Sequence, residues 1–267
     1  MVKSRSFQRA ALVGLAIALA SAPLAAAAQD RAVRTRVLAW TGGDRLFVAL
    51  PADVRYVQGP AGKMVITGPT SDIDDIVVEH GVIRHERLGF RWWNWGWNWR
   101  SDPGIHIVVT APQLNEAGVS GSGHLDLGRL AQDHLDVEIS GSGALDLTGR
   151  FKSLRLSMSG SGAARLSRID AADLSASLSG SGWIKASGAA GVVHLGISGS
   201  GAADMGDLVA QDVTANLSGS GFAKLSPKRS ADLTVSGSGG IRLLTEPPSI
   251  SAHRSGSGSI VHPGGSS

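Results

Sequence analysis

The 267-residue sequence predicts an all-β protein, a β-solenoid of 19–20-residue coils that turn at Ser-Gly-Ser-Gly corners. Three observations carry that expectation. The tetrapeptide recurs in register, apolar and polar columns alternate on both sides of it, and the chain holds 36 Gly and 0 Cys. Without cysteine no disulfide or thiolate metal site is available, so stability has to come from packing and backbone pairing. Abundant glycine suits narrow, closely stacked layers.

The tetrapeptide begins at Ser120, Ser140, Ser159, Ser179, Ser198, Ser218, Ser236 and Ser255. The steps between them are 20, 19, 20, 19, 20, 18 and 19 residues, a register that flexible Gly/Ser linkers do not keep. At the second position after it stand Leu125, Leu145, Ala164, Ile184, Ala203, Ala223, Ile241 and Ile260. The fourth carries Leu127, Leu147, Leu166, Ala186, Met205, Leu225 and Leu243, and fails at His262. Between these columns lie Asp126, Asp146, Arg165, Lys185, Asp204, Lys224 and Arg242. Apolar, charged, apolar is the period of a half-buried strand. On the other side, Val119, Ile139, Met158, Leu178, Ile197, Leu217 and Val235 directly precede the tetrapeptide. Each unit therefore reads as strand, corner, strand and a short connector such as 128–133.

A unit of this size cannot bury its own apolar face. Stacking equivalent strands about 4.8 Å apart builds a shared core. About five inward side chains per unit, each large one contributing about 1.5–3 kcal/mol, offset the ordering entropy only when neighbouring units are present. An antiparallel meander with SGSG hairpin loops is the alternative, and identical turns at a coil-length period favour the solenoid.

Residues 1–28 read as a signal peptide. Lys3, Arg5 and Arg9 precede the apolar run Ala10 to Ala20, and Ala26 and Ala28 are placed for cleavage before Gln29. The sequence has 25 Lys+Arg and 22 Asp+Glu. The three leader cations account for the excess, so the mature part is neutral and gives no reason to expect a nucleic-acid partner. Residues 29–115 lack the tetrapeptide but keep short alternating runs such as Leu46 to Leu50 and Ile105 to Thr110. They are expected to form irregular coils and a cap continuous with a solenoid over 116–262, followed by a tail at 263–267. Arg254 and His262 fall in apolar columns, which marks the last coil as a cap or frayed end.

The strongest candidate contact lies at 91–100, where five of the seven Trp stand. In an extended strand, alternation puts Trp93, Trp95, Trp97 and Trp99 on one face, flanked by Arg91 and Arg100. Such a row can stack on sugar rings or sit at a lipid headgroup interface, and can equally plug the solenoid end or cover a lateral groove. The repeated serines do not match a nucleophile elbow, since Gly118-Val119-Ser120-Gly121 runs on into Ser122. His80, His85 and His106 lack zinc-ligand spacing. The outward column mixes Asp with Arg and Lys, unlike a hydrolase cleft or a calcium-binding repeat. No catalytic, metal or cofactor residue is indicated. A binding protein is expected, with a structural envelope protein or a carbohydrate-active enzyme as alternatives.

The leader, the opening RLFVALPADVRYVQGPAGKMVITGP, the junction IHIVVTAPQLNEAGVSGSGHLDL and the serial coils resemble the bacterial GIN-domain family, labelled auto-transporter adhesin head domains. The likeness runs from about Arg34 to His262, and Pro112, Leu114 and Ser120 to Gly123 are its most specific part. It implies a right-handed β-helix-like fold outside the cytoplasm, in the periplasm, at the outer membrane or secreted. It carries over no catalytic residue; a glycan or cell-envelope component is the partner that the Trp row suggests. The chain shows no C-terminal β-barrel pattern, so self-export is not expected.

Overall fold

The structure, a computed structural model, describes residues 33–60, 62–86 and 104–266. The leader at 1–28 and the Trp-rich stretch at 91–100 lie outside the described residues. The regular body consists of β9 (His124–Gly141), β10 (Ala144–Gly160), β11 (Ala163–Gly180), β12 (Trp183–Gly199), β13 (Ala202–Gly219) and β14 (Phe222–Gly237). Each pairs in parallel with the next, so Leu145, Ala164, Ile184, Ala203 and Ala223 stand in one column. Parallel pairing rules out the meander and makes the chain a β-solenoid.

Two glycines form each corner, for different reasons. Gly160 has a φ of 111°, and a Cβ there would lie 2.5 Å from the Gly141 carbonyl oxygen. Gly162 instead lacks room, because a Cβ would meet Ile139 Cγ2 at 2.8 Å and the Gly143 oxygen at 2.7 Å. The first glycine turns the chain, and the second lets the inward side chain of the coil below fit beneath it.

The connector expected between strands is itself part of the strand. It adds Leu130, Phe151, Ile169, Ala171, Ala190, Leu208 and Ala210 to the core, so β11 alone buries seven apolar side chains rather than five. Changes in coil length are taken up just before it, where registers slip between Leu166 and Ile169 and between Met205 and Val209. One corner is thus fixed by the tetrapeptide, and the other absorbs the difference between steps of 18 and 20 residues.

The N-terminal strands are threaded out of chain order. Here β2 (Arg45–Val48) and β3 (Asp53–Gln58) pair in parallel with β8 (Glu116–Gly121) and β9 at a constant offset of 71 residues, as in Arg45↔Glu116 and Asp53↔His124. Ala49-Leu50-Pro51-Ala52 therefore stands where the next coil has Ser120 to Gly123. On their other side lie β6 (Val82–His85) and β7 (His106–Ala111), through Phe47↔Val82 and Asp53↔His106. The chain lays down the second layer, crosses to the end, returns as the outermost parallel layer, and then steps over to the third.

The end is closed by antiparallel strands. There β4 (Lys63–Pro69) pairs with β7 and with β1 (Val33–Ala39), and β5 (Ile76–Glu79) pairs with β6. A single helical turn, α1 (Thr70–Ile73), links β4 to β5, and Met64, Ile66, Ile73, Ile76 and Ile83 are fully buried beneath this layer. At the far end lie β15 (Gly240–Leu243), β16 (Ser249–Ser255) and β17 (Ser259–His262), with β18 (Gly265–Ser266) folded back antiparallel on β17. Arg254, in an apolar column, is exposed and donates to the Gly258 carbonyl, so it closes the last corner rather than entering the core.

Candidate functional site

The face formed by the strands after the corner carries a ladder of charge. Its outward column runs Arg55, Asp126, Asp146, Arg165, Lys185, Asp204, Lys224 and Arg242. Opposite charges pair along it, with Arg55 Nε 3.0 Å from Asp126, Arg165 3.6 Å from Asp146 and Lys224 3.3 Å from Asp204. Exposed pairs of this kind contribute about 0–1 kcal/mol each, and their main effect is to offset the like-charge steps of the same column, Asp126 beside Asp146, Arg165 beside Lys185 and Lys224 beside Arg242.

Beside this ladder, the N-terminal layers bring together a polar cluster. His106, Asp53 and His124 are successive members of one column on β7, β3 and β9. His106 Nδ1 lies 3.4 Å from Asp53, while His124 places Nδ1 2.9 Å from Asp53 and Nε2 2.8 Å from Asp146. Burial alone would lower the His124 pKa, but hydrogen bonds to Asp146 and Asp53 outweigh it and raise the value above 6.5. An imidazole can donate from both nitrogens only when protonated, so the two carboxylates favour the cation. The cluster opens onto a hollow of about 340 Å³ lined also by Arg55, Val108 and Asp126. Among the described residues no group of three or more His, Cys, Asp or Glu is arranged to hold a metal ion.

The face before the corner is different in character. A groove of about 470 Å³ crosses five coils, lined by Glu138, Ser157, Ser177, Gly196 and Asn216 in one column and Ser159, Ser179 and Ser198 in the next. Its floor is formed by Ile139, Met158, Leu178 and Ile197, side chains whose bodies belong to the core. The result is a long concave strip with repeated hydroxyls and a single carboxylate.

The six residues singled out by sequence, Arg91, Trp93, Trp95, Trp97, Trp99 and Arg100, lie outside the described residues, but the strands that bracket them do not. In chain order, residues 86–105 stand between β6 and β7, where every later coil has its tetrapeptide. The His124 cluster escaped sequence reading because Asp53 and His124 are 71 residues apart. The signal that could have found it is the match of Ala49 to Ala52 with the tetrapeptide position, which fixes that offset. No helix among the described residues is long and apolar enough to cross a membrane.

Comparison with known proteins agrees with this architecture. The family model described as "Putative auto-transporter adhesin, head GIN domain" matches residues 44–167 and 148–247. No curated protein sequence matches the chain. Among solved structures, a "putative lipid binding protein" from Parabacteroides distasonis aligns with a TM-score of 0.77 at 24% identity, covering 86% of this chain and 96% of its own. A "putative adhesin" from the same organism gives 0.75 at 18%, covering 88% and 98%, and one from Parabacteroides merdae gives 0.73 at 18%, covering 86% and 95%. At such identities the likeness carries the fold. With the family model spanning most of the solenoid and its N-terminal layers, the chain belongs to the GIN-domain family of auto-transporter adhesin head domains.

Proposed function

We propose that the protein is an exported, non-catalytic, adhesin-like binding protein of the cell envelope, and that it holds an extended glycan along the serine-lined groove. The observation that carries this reading is the groove itself. It crosses five successive coils, about 20 Å in all at the spacing of paired strands, and presents hydroxyls on the middle three, from Ser157, Ser159, Ser177, Ser179 and Ser198. A polymer with its own short repeat can meet the same groups coil after coil, whereas a small substrate would use one coil and leave the rest idle. The paired charges of the opposite face favour binding over hydrolysis, because the carboxylates of Asp126, Asp146 and Asp204 are each engaged by a cation.

The row Trp93, Trp95, Trp97 and Trp99, flanked by Arg91 and Arg100, is assigned to the same task. In chain order it stands between β6 and β7, the position at which later coils carry their tetrapeptide. Leader cleavage before Gln29 and a final place in the periplasm, at the outer membrane or outside the cell belong to this reading.

The test is retention of the mature protein on cell-envelope polysaccharide fractions, with two variants beside it. Gly196→Trp fills the groove, and its Cβ would have no neighbour closer than Ser177 Oγ at 3.9 Å, so the fold is kept. Trp95→Ala/Trp97→Ala removes the centre of the aromatic row. Loss of retention in Gly196→Trp is expected. Equal retention by wild type and Gly196→Trp would overturn the groove, and no retention of wild type would favour a purely structural envelope protein.

A further inference from the structure

We propose that two copies of this chain join edge to edge, the open side of β1 pairing antiparallel with the same strand of a second copy about a two-fold axis at Thr35. Among the described residues β1 pairs with β4 alone, so its other edge has no strand beside it. Trp40 donates its backbone N–H to the Gly62 carbonyl, which fixes the alternation of the ladder. Arg34, Arg36 and Leu38 therefore exchange hydrogen bonds with β4, while Val33, Thr35, Val37 and Ala39 turn their N–H and C=O groups to the open edge. Pro69, opposite Val33, has no N–H to offer and agrees with that alternation.

The edge lacks the devices that blunt a sheet edge. It carries no proline, lysine or bulge, and its register with β4 is unbroken. Val33 and Val37 keep 71% and 58% of their surface in solvent, the highest values for large apolar side chains among the described residues. The two cations of the strand are drawn back onto their own copy. Arg36 Nη1 donates to the carbonyls of Ile73, Asp74 and Ile76 at 3.2–3.3 Å, and Arg34 lies 3.5 Å from the Asp74 carboxylate. At the far end β16 pairs with β14 alone, but its edge is polar, with Ser249, Ser251, His253 and Arg254 exposed along it.

The sequence of the strand selects a second copy. Val33-Arg34-Thr35-Arg36-Val37 reads the same in both directions, and a two-fold pair requires each half to present what it receives. With the axis at Thr35, Val33 faces Val37 of the second copy and Thr35 faces its equivalent. These are the residues whose backbone groups point outward, so the ladder and the side chains agree on one register. On the outer face the row Val108, Val65 and Val37 runs on into Val33 of the second copy. On the inner face Arg34 meets Arg36 of the second copy, and the Asp74 carboxylate and the carbonyls around it offset these like charges on each side. An acidic strand from another protein would find the arginines already engaged. Pairing over 7 residues covers less than the about 1,200 Å² of stable interfaces, so the dimer forms at high micromolar concentration. Two joined copies carry two serine-lined grooves, and a polymer held in both gains effective concentration. That consequence rests on the groove reading above, and the pairing does not.

The test is the weight-average mass of the mature protein by sedimentation equilibrium, from low micromolar to millimolar concentration. A rise from one chain mass toward two is expected. Thr35→Pro removes an N–H that β4 does not use, and should leave a monomer at every concentration. Val37→Lys sets a charge against Val33 of the second copy and should weaken the dimer about tenfold. Val33→Glu/Val37→Lys places opposite charges across the axis and should restore it. All these side chains are exposed, so far-UV circular dichroism should match wild type in each variant. A wild type that stays monomeric throughout overturns the proposal, as does a dimer that Thr35→Pro leaves unchanged. Loss in Val37→Lys without recovery in the double variant overturns the register.

Discussion

Within the tetrapeptide, the residues that look alike have unlike jobs. Gly160 needs positive φ and Gly162 needs an absent side chain, while Ser161 between them is exposed. Gly160→Ala adds a strained conformation of about 1–3 kcal/mol to its contact with the Gly141 oxygen. Ser161→Ala should cost within about 0.5 kcal/mol. Urea unfolding midpoints of the two variants decide the point, and equal shifts would contradict the assignment of roles. His124 offers a second test at this scale. Its folded pKa is raised, so its contribution is complete below the ordinary value of 6.5 and is lost as pH rises through the raised value. His85, half-buried beside Asp72 and Asp75, has its pKa lowered by burial and works in the opposite sense, weakening the fold as pH falls below 6.5. The groups facing His124 are Asp53, Asp146 and, around them, His106, Arg55, Asp126 and Arg165. Comparing wild type with His124→Gln cancels the His85 effect, which both share. The wild type should be more stable than the variant near about pH 6 and lose that advantage near about pH 9.

At the scale of the strand, the sequence exposes the alternating arms and hides the rest. Columns flanking the tetrapeptide are legible because Leu125, Leu145 and their equivalents repeat at a near-constant step. The third side of the coil is not, because insertions fall there and shift Ile169 and Val209 out of any fixed column. That is why Phe151 and Leu208 read as connector and turn out to be core. The same blindness covers the outer surface. Trp183 and Phe222 stand in a column otherwise filled by His124, Ala144, Ala163, Ala202 and Gly240, and the His124 cluster depends on pairing that skips 71 residues. Exposure also differs from strand to strand. β16 is solvent-exposed apart from Ile250, whereas β11 to β13 are covered on both edges and pack seven or so side chains inward. Amide hydrogen exchange should therefore be fastest in Ser249–Ser255 and slowest around Leu174, Val193 and Val213. Leu174→Ala, at a site with no exposed surface, should cost about 2–5 kcal/mol in denaturant unfolding.

Over the whole molecule, the departure from serial stacking is confined to one end. From β8 onward each coil is laid directly on its predecessor, so contacts join residues about one coil apart and a coil can form once its neighbour is in place. The N-terminal layers break this order. Strands β2 and β3 wait for β6 and β7 on one side and for β8 and β9 on the other, and the antiparallel cap closes over them. In chain order the Trp-rich stretch stands between β6 and β7, the strands of the outermost parallel layer. Its neighbours are held without it. Glu86 donates its backbone N–H to Asp75, and the Ile105 carbonyl accepts from Asp53, so both ends of the insertion are anchored by backbone hydrogen bonds of described strands. Replacing residues 87–103 with a short Gly-Ser-Gly bridge should therefore leave the stack intact. The β-sheet circular dichroism spectrum should be retained, and the thermal midpoint should stay within a few degrees of wild type. If the row is the binding element assigned to it, the same variant should lose retention on envelope polysaccharide. A collapse of the thermal midpoint would instead show that the aromatic row completes the core of the first layer, and its function would then be structural.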